Sequence, residues 1–111
     1  MMHSDPPPLT STMAEEADFH PLLHTYAELL RESLALLESA QEPDMVDEER
    51  VRKTAHDLKG SGGAYGFDPI TETGAQLEKC LRYGAGHDEI LDQMANLCSL
   101  LRRAIRGIEA L

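Results

Sequence analysis

The stretch that decides the fold is residues 88–108, DEILDQMANLCSLLRRAIRGI. Because an α-helix completes a turn in about 3.6 residues, apolar side chains at steps of three and four lie on one face of a helix. The apolar residues of this segment follow that spacing, which predicts a long final helix buried against other helices. No part of the chain shows the alternation typical of a strand. The predicted buried residues of this helix are Ile90, Met94, Leu97, Leu101, Ile105 and Ile108.

Three earlier segments show the same periodicity. The first runs from Pro21 to about Ala40, the second begins after Asp44, and the third begins at Asp68. Because short connections make consecutive helices neighbours, we predict an all-α fold, an antiparallel up-down four-helix bundle. The predicted inward residues are Leu22, Tyr26, Leu29, Leu30, Leu34 and Leu37, then Val51, Ala55, Leu58 and Gly62, then Ile70, Gly74, Leu77 and Leu81.

The helix ends carry recognisable signals. Asp44 is predicted to cap the second helix, with Asp47 in its first turn, where the helix dipole favours anions. Asp68 followed by Pro69 predicts the start of the third helix, because proline is favoured at the first helical position. Glycines at positions 84 and 86 suit the turn that ends it.

The N-terminal segment is predicted to differ from the rest. Three consecutive prolines, residues 6–8, disfavour a helix, so residues 1–11 are expected to form a disordered lead and residues 12–111 the domain. Thr12 and Glu15 have the spacing of a capping box. A short extra helix from Met13 to Phe19 is therefore predicted ahead of Pro21.

Composition narrows the functional class. The 111 residues include 20 acidic and 10 basic side chains, a formal charge of -10, and they leave no room for a second core. The acidity disfavours nucleic acid as a partner. No apolar window approaches the roughly 18 residues needed to span a bilayer, and no signal peptide is evident. Two cysteines suit reduced thiols, so we expect a cytoplasmic protein without a membrane partner.

One segment, residues 55–66, AHDLKGSGGAYG, departs from an ordinary bundle helix. Each glycine in a helix interior costs about 1 kcal/mol relative to alanine, so the cluster needs a reason. Helical geometry places Arg52, His56, Lys59 and Gly63 on a face next to the inward stripe. An exposed imidazole beside an ammonium group and bare glycine backbone can accept a phosphoryl group and offset part of its charge.

This segment resembles the signature of histidine-containing phosphotransfer (HPt) domains, the carriers of multistep two-component phosphorelays. The similarity lies in His, Leu, Lys and Gly followed by small residues, and it extends to Leu77 and Glu78 in the next helix. It covers roughly residues 20–111. Gly62 and Gly63 stand where the family more often has Ser or Ala, and Gly74 is an unusual choice that packing by Phe67 or Tyr65 would explain.

The resemblance implies a role for each residue. His56 would accept a phosphoryl group on Nε2 from a receiver-domain aspartate and return it to another receiver. Glu78 is the candidate that holds Nδ1, and Lys59 would stabilise the phosphoryl oxygens. Arg52, Gly60, Gly63 and Arg82 are the candidate receiver-docking surface.

The resemblance also implies the partners. They would be response-regulator receiver domains and a hybrid sensor kinase, and the protein would be a monomer. Magnesium would belong to the receiver, so this chain would need no cofactor or metal of its own. The sequence shows no nucleotide-binding loop, which predicts a carrier and not a kinase.

Two other functional classes remain open from the residues alone. One is a non-catalytic helical adaptor whose apolar stripe binds a partner. The other is a metal-dependent hydrolase, which would need several inward Glu or His residues on facing helices. His20 and His24 have the spacing of a metal pair on a helix, although Pro21 disturbs that geometry.

Overall fold

The computed structural model describes residues 6–40 and 47–111. Within those ranges it contains four α-helices and no strand: α1 (His20–Ser39), α2 (Glu48–Gly62), α3 (Asp68–Arg82) and α4 (His87–Glu109). α2 packs on α3, α3 on α4, and α4 on α1, each pair antiparallel. The predicted all-α four-helix bundle is confirmed. No helix in the described ranges has an apolar stretch that could reach across a bilayer.

α4 forms the central wall of the core. All six of its predicted inward residues are buried, and Cys98 and Ala104 join them. Burying one Leu-sized or Ile-sized side chain contributes about 1.5–3 kcal/mol, so this face supplies a large share of the folding free energy. Cys80 and Cys98 are buried thiols that form no disulfide bond.

The buried face of α1 differs from the prediction at two positions. Leu22 and Leu29 are 45% and 42% exposed, whereas the neighbouring Leu23 and Leu30 are fully buried. Both pairs are Leu-Leu doublets, so the periodicity alone allowed a rotation of about 100°. Ala27 identifies the true face, because it lies on the same side of the helix as Leu23 and Leu30 and is buried with them.

α2 begins later than predicted. Its N-cap is Asp47, whose Oδ1 accepts a hydrogen bond from the Arg50 backbone N–H at 3.2 Å. Asp44, the predicted cap, lies outside the described residues, and a helix that begins at Glu48 cannot be capped from there. Glu48 and Glu49 occupy the first turn, so acidic side chains still face the positive end of the helix dipole.

The predicted helix over Met13–Phe19 does not form. Turns take its place, followed by a 3-10 helix of three residues, Ala17–Phe19. The residue that caps this segment is the buried Ser11, not Thr12: its Oγ accepts from the Met13 N–H at 3.0 Å and donates to the Tyr65 carbonyl at 2.6 Å. The tertiary bond to Tyr65 therefore replaces the local capping box.

Residues 6–11, which the sequence assigns to a disordered lead, lie along α4 in the structure. The Leu9 N–H donates to the Arg103 carbonyl at 3.0 Å, and the Arg103 Nε–H donates to the Pro7 carbonyl at 2.8 Å. Gly107 permits this approach, because a Cβ there would overlap the Leu9 carbonyl oxygen. A proline-rich segment needs no helix of its own to pack, since α4 supplies its hydrogen-bond partners.

The end of α2 is held by an aromatic group. The rings of Tyr26 on α1 and Tyr65 stack with centroids 4.1 Å apart, and the Tyr26 hydroxyl hydrogen-bonds Ser61 Oγ at 2.9 Å. After Tyr65 the chain turns at Gly66, which has a φ of 83° that a side chain would rarely adopt. The predicted break between α2 and α3 is therefore a sharp, well-packed turn.

Candidate functional site

His56 lies on the solvent side of α2, beside α3. Its side chain is 59% exposed, and its Nδ1 lies 2.7 Å from Oε2 of Glu78. Glu78 sits on α3, one turn after Gly74, where the two helix backbones come together. The two residues that the sequence pairs as acceptor and orienter are thus in direct contact.

The Glu78 carboxylate is 4% exposed, and basic groups surround it. Lys59 Nζ donates to Oε1 at 3.0 Å, and an Arg82 guanidinium nitrogen lies 3.7 Å from Oε2. The Lys59 hydrogen bond lowers the pKa of Glu78 against the opposing effect of burial, and His56 lowers it further. The carboxylate is therefore ionised at neutral pH and can only accept hydrogen bonds.

An ionised Glu78 fixes the proton of His56. Since the carboxylate accepts, Nδ1 must be the donor, and in the neutral imidazole the lone pair then lies on Nε2. The large exposed fraction of the side chain puts that lone pair within reach of a second protein. The arrangement yields a nucleophilic ring nitrogen with a defined orientation.

Two glycines set the distance between α2 and α3. A Cβ on Gly62 would lie 2.8 Å from the Thr71 backbone nitrogen, and a Cβ on Gly74 would lie 3.0 Å from both the Ala55 carbonyl oxygen and the Lys59 nitrogen. Gly74 is thus explained by the α2 backbone that passes over it, and not by Phe67 or Tyr65. This close packing brings Glu78 within hydrogen-bond distance of His56.

Thr71 joins the glycine-rich end of α2 to α3. Its hydroxyl donates to the Lys59 carbonyl at 2.8 Å and accepts from the Gly63 N–H at 2.7 Å. Both backbone groups belong to the last turns of α2, where intrahelical partners run out. No sequence pattern indicates this role, because a threonine on a helix links two helices only when the neighbouring helix is in place.

The two glycines assigned to receiver docking differ in their surroundings. A Cβ on Gly60 would meet nothing within 4 Å, so its surface is open. A Cβ on Gly63 would lie 3.3 Å from Asp68 Oδ1 and 3.4 Å from Thr71 Oγ1. Gly63 therefore also serves contact with α3, and Gly60 is the glycine with open space beside it.

The basic residues predicted around His56 divide into two groups. Lys59 and Arg82 both contact Glu78. Arg52 pairs instead with Glu49 one turn earlier, with its terminal nitrogen 2.5 Å from Oε1, and that pair raises the pKa of Arg52. Arg52 thus lies on the same helix face but adds little net positive charge to the site.

Two neighbouring surface features extend the site. On the α3 side, a recess of about 220 Å³ is lined by Lys59, Lys79, Arg82 and Tyr83. On the α1 side, exposed Leu29 lines a groove with Asp57, the residue after His56. Leu22 and Leu29 were predicted to lie in the core and are surface residues instead. The Leu-Leu doublets were the only available sign in the sequence that either residue of each pair could face outward.

Residues considered for metal binding are arranged differently. His20 Nε2 lies 2.7 Å from the Ala14 carbonyl, to which it can donate. Over the ranges 6–40 and 47–111 no three His, Cys, Asp or Glu side chains come close enough to hold a metal ion.

Comparison with known proteins gives one family. The family model described as Hpt domain matches residues 21–109. Searches of curated proteins and of solved structures found no significant match. The matched range covers all four helices and includes the His56–Glu78 contact.

Proposed function

Because this chain belongs to the Hpt domain family, whose members carry phosphoryl groups on histidine in phosphorelays, we propose that His56 is its phosphoacceptor. The protein takes a phosphoryl group from the aspartate of one receiver domain and passes it to the aspartate of another. The observation that carries the proposal is the 2.7 Å contact between Nδ1 of the exposed His56 and the buried Glu78 carboxylate.

The transfer step exchanges one bond to phosphorus for another. The Nε2 lone pair attacks phosphorus, a P–N bond forms, and the P–O bond to the aspartyl carboxylate breaks, which regenerates the receiver's aspartate. The Nδ1 proton stays in its hydrogen bond to Glu78. The phosphorylated ring then carries positive charge, which the adjacent carboxylate stabilises. Return of the group to a second receiver reverses these bond changes.

Lys59 supports the phosphoryl group in this scheme. Its side chain is 44% exposed and is held at Glu78 by a single hydrogen bond. A small rotation of this side chain therefore brings Nζ close to the oxygens of a phosphoryl group on His56 Nε2. Arg82 remains near Oε2, so the Glu78 carboxylate still faces a positive charge when Lys59 turns away. Magnesium enters with the receiver, in its own acidic pocket.

The receiver docks on the surface around His56. Gly60, one turn after His56, offers open backbone, and Leu29 supplies exposed apolar area across the α1–α2 groove. Gly63 and Arg82 border the same face. A hybrid sensor kinase is the proposed source of the first phosphorylated receiver, and reduced thiols at Cys80 and Cys98 suit a cytoplasmic location.

His56→Gln tests the assignment. We expect incubation with a phosphorylated receiver domain to label the wild-type protein with acid-labile, base-stable phosphate, and to leave His56→Gln unlabelled. His24→Gln, a change of the same kind on exposed α1 surface, is the matched control and should label normally. Undiminished labelling of His56→Gln would refute the assignment, and receiver binding without labelling of the wild type would favour the adaptor function.

The hydrogen bond itself can be observed. In the wild type at alkaline pH, ¹⁵N chemical shifts of the neutral His56 ring should show a protonated Nδ1 and an unprotonated Nε2. Glu78→Ala should shift the neutral ring toward the opposite tautomer. If the tautomer is unchanged in Glu78→Ala, Glu78 does not orient the imidazole.

A further inference from the structure

A second surface of the bundle combines positive charge with apolar side chains. It is a groove of about 530 Å³ between α1 and α4, larger than the recess beside Glu78. Leu34 and Ile105 supply its apolar lining, and four guanidinium groups surround them, from Arg31, Arg102, Arg103 and Arg106. His56 lies on the seam between α2 and α3, so the groove is on a different face of the bundle.

The charge of this groove opposes that of the whole protein. The chain has 10 Lys and Arg residues and a formal charge of -10, and four of the ten basic side chains line this one groove. Two carboxylates neutralise part of this charge: Glu38 lies 2.9 Å from Arg102, and Glu109 lies 3.7 Å from Arg31. The groove therefore concentrates guanidinium groups on one face of a strongly acidic molecule.

The arginines on α4 are held along one wall. Arg103 donates from Nε to the Pro7 carbonyl at 2.8 Å, and Arg106 donates from a terminal nitrogen to the Pro6 carbonyl at 2.5 Å. A guanidinium has five N–H donors in a rigid plane, so the bond to Pro7 orients Arg103 and uses only one of its donors. Orienting the side chains in advance lowers the entropy cost of binding a ligand.

We propose that this groove binds an acidic segment of a partner protein, with carboxylates on the guanidinium groups and an apolar side chain on Leu34 and Ile105. Arginine matches a carboxylate through two parallel hydrogen bonds, which makes it well suited to such contacts. An acidic segment is repelled by most of this protein and attracted here, so the charge distribution itself directs it to the groove.

The shape of the groove favours a peptide over a small anion. The basic groups lie on two helices, with Arg31 across from the three arginines of α4. A single carboxylate or phosphate would contact one or two of them and leave the half-buried Leu34 without an apolar contact. A segment with acidic residues on both sides of an apolar one covers both features. Its binding leaves His56 accessible and is independent of the phosphotransfer function.

The proposal can be tested by NMR titration of the ¹⁵N-labelled protein. The probe is a peptide of about a dozen residues with Glu-Leu-Glu clusters one helical turn apart, and the matched peptide has Gln in place of Glu. We expect saturable shifts confined to residues 31–38 of α1 and 99–106 of α4, weakened by added salt. Absence of saturable shifts, or shifts centred on His56, would overturn the proposal.

Charge reversal supplies the matched variants. Arg102→Glu should weaken peptide binding by about tenfold or more, whereas Arg50→Glu, the same change on exposed α2 surface, should alter it less than about twofold. Arg31→Glu is the second groove variant, in case Arg102→Glu fails to fold as judged by circular dichroism. Equal losses in groove and control variants would show that only net charge matters, against a specific site.

Two other occupants are distinguished by the same set of samples. Sedimentation of the wild type that shows a dimer, lost in Arg102→Glu, would make a second copy of this chain the occupant. Competition by inorganic phosphate with an affinity equal to that of the peptide would make the groove a small-anion site. Either result would overturn the proposal of an acidic peptide partner.

Discussion

At the scale of single residues, Glu78 governs the candidate site. One nearly buried carboxylate contacts an imidazole, an ammonium and a guanidinium group, from His56, Lys59 and Arg82. Removing this carboxylate would leave three basic groups close together without a negative charge between them. In the proposed transfer, Glu78 orients His56 and holds Lys59 near the incoming phosphoryl group.

Lys59→Ala should slow phosphotransfer to His56 by about tenfold or shorten the lifetime of the phosphohistidine, because one positive charge near the phosphoryl oxygens is lost. Rapid-quench labelling with a phosphorylated receiver measures both quantities. Lys53→Ala removes an exposed lysine from the same helix and serves as the control. Equal transfer rates in the two variants would show that Lys59 does not support the phosphoryl group.

The ionisation of Glu78 makes stability depend on acid pH. Its pKa in the folded protein lies below the ordinary value of 4.5, chiefly because Lys59 donates a hydrogen bond to it. The stabilisation is complete above about pH 4.5 and is lost as the pH falls through the folded-state pKa, because the unfolded chain binds the proton first. Urea unfolding from about pH 6 to about pH 3 should show this loss.

Glu78→Gln is the control for that pH dependence. Glutamine cannot ionise, so the variant should lose less stability than the wild type over the same acid range. Other carboxylates contribute equally to both proteins and cancel in the comparison. Identical pH dependence in wild type and variant would mean that Glu78 has no depressed pKa.

The sequence predicted that His56, Lys59 and Glu78 lie together, but it predicted only part of the contacts around them. Helical spacing placed His56 and Lys59 on one face, and the family resemblance selected Glu78 on the next helix. Thr71 was not predicted, because its partners, the Lys59 carbonyl and the Gly63 N–H, are backbone groups brought near only by helix packing.

At the scale of helices, the contact between α2 and α3 depends on small residues and one hydroxyl. Gly62 and Gly74 let the two backbones approach, and Thr71 bonds the final turns of α2. The three glycines in residues 60–63 weaken this end of α2 as an isolated helix. α3 compensates through packing and hydrogen bonds, so the glycine-rich end stays helical.

Thr71→Val keeps the shape of the side chain and removes both hydrogen bonds. We expect it to destabilise the fold by about 1–2 kcal/mol, since the Lys59 carbonyl and the Gly63 N–H lose their partner. Amide exchange at Gly63 should accelerate at the same time. Thr73→Val on the same helix is the control, and a similar exchange rate at Gly63 in both variants would contradict the role of Thr71.

Gly60→Ala should stabilise the protein by about 0.5–1 kcal/mol, because alanine is the better helix former and open space surrounds the position. Chemical denaturation measures this gain. Gly60→Leu adds bulk where the receiver is proposed to dock and should reduce receiver binding, while Gly60→Ala should not. Undisturbed binding of Gly60→Leu would place the docking surface elsewhere.

The buried faces of the helices show where a sequence pattern is enough to predict packing. The six apolar residues predicted to face inward on α4 recur at steps of three and four, and all six are buried. α1 has Leu-Leu doublets at 22–23 and 29–30, so two rotations fit the pattern equally well. Only contact with α4 decides between them, and that contact is a property of the assembled bundle.

At the scale of the whole molecule, the N-terminal segment connects parts of the chain that are far apart in sequence. Residues 6–11 lie on α4, and Ser11 bonds the turn after α2 through Tyr65. The three prolines gave no periodic signal, because an extended segment packs through backbone carbonyls and not through a repeating apolar face. The structure therefore adds to the bundle a segment that composition alone places outside it.

Gly107→Ala should destabilise the protein, although alanine favours a helix. The added methyl group would overlap the Leu9 carbonyl oxygen, so residues 6–11 would have to leave α4. We expect a loss of about 1–3 kcal/mol in denaturant unfolding. Gly60→Ala is the matched control, and it is expected to raise the free energy of unfolding. If both substitutions raised it, the N-terminal segment would not rest on α4 in solution.

The stacked tyrosines have a spectroscopic consequence. The chain has no tryptophan, so its near-ultraviolet fluorescence comes from Tyr26, Tyr65 and Tyr83. Tyr83 is 74% exposed, whereas Tyr26 stacks on Tyr65 and hydrogen-bonds Ser61, five residues after His56. In Tyr83→Phe the remaining emission would report on the end of α2 alone. The protein thus contains its own optical probe, and receiver docking could be followed without an attached dye.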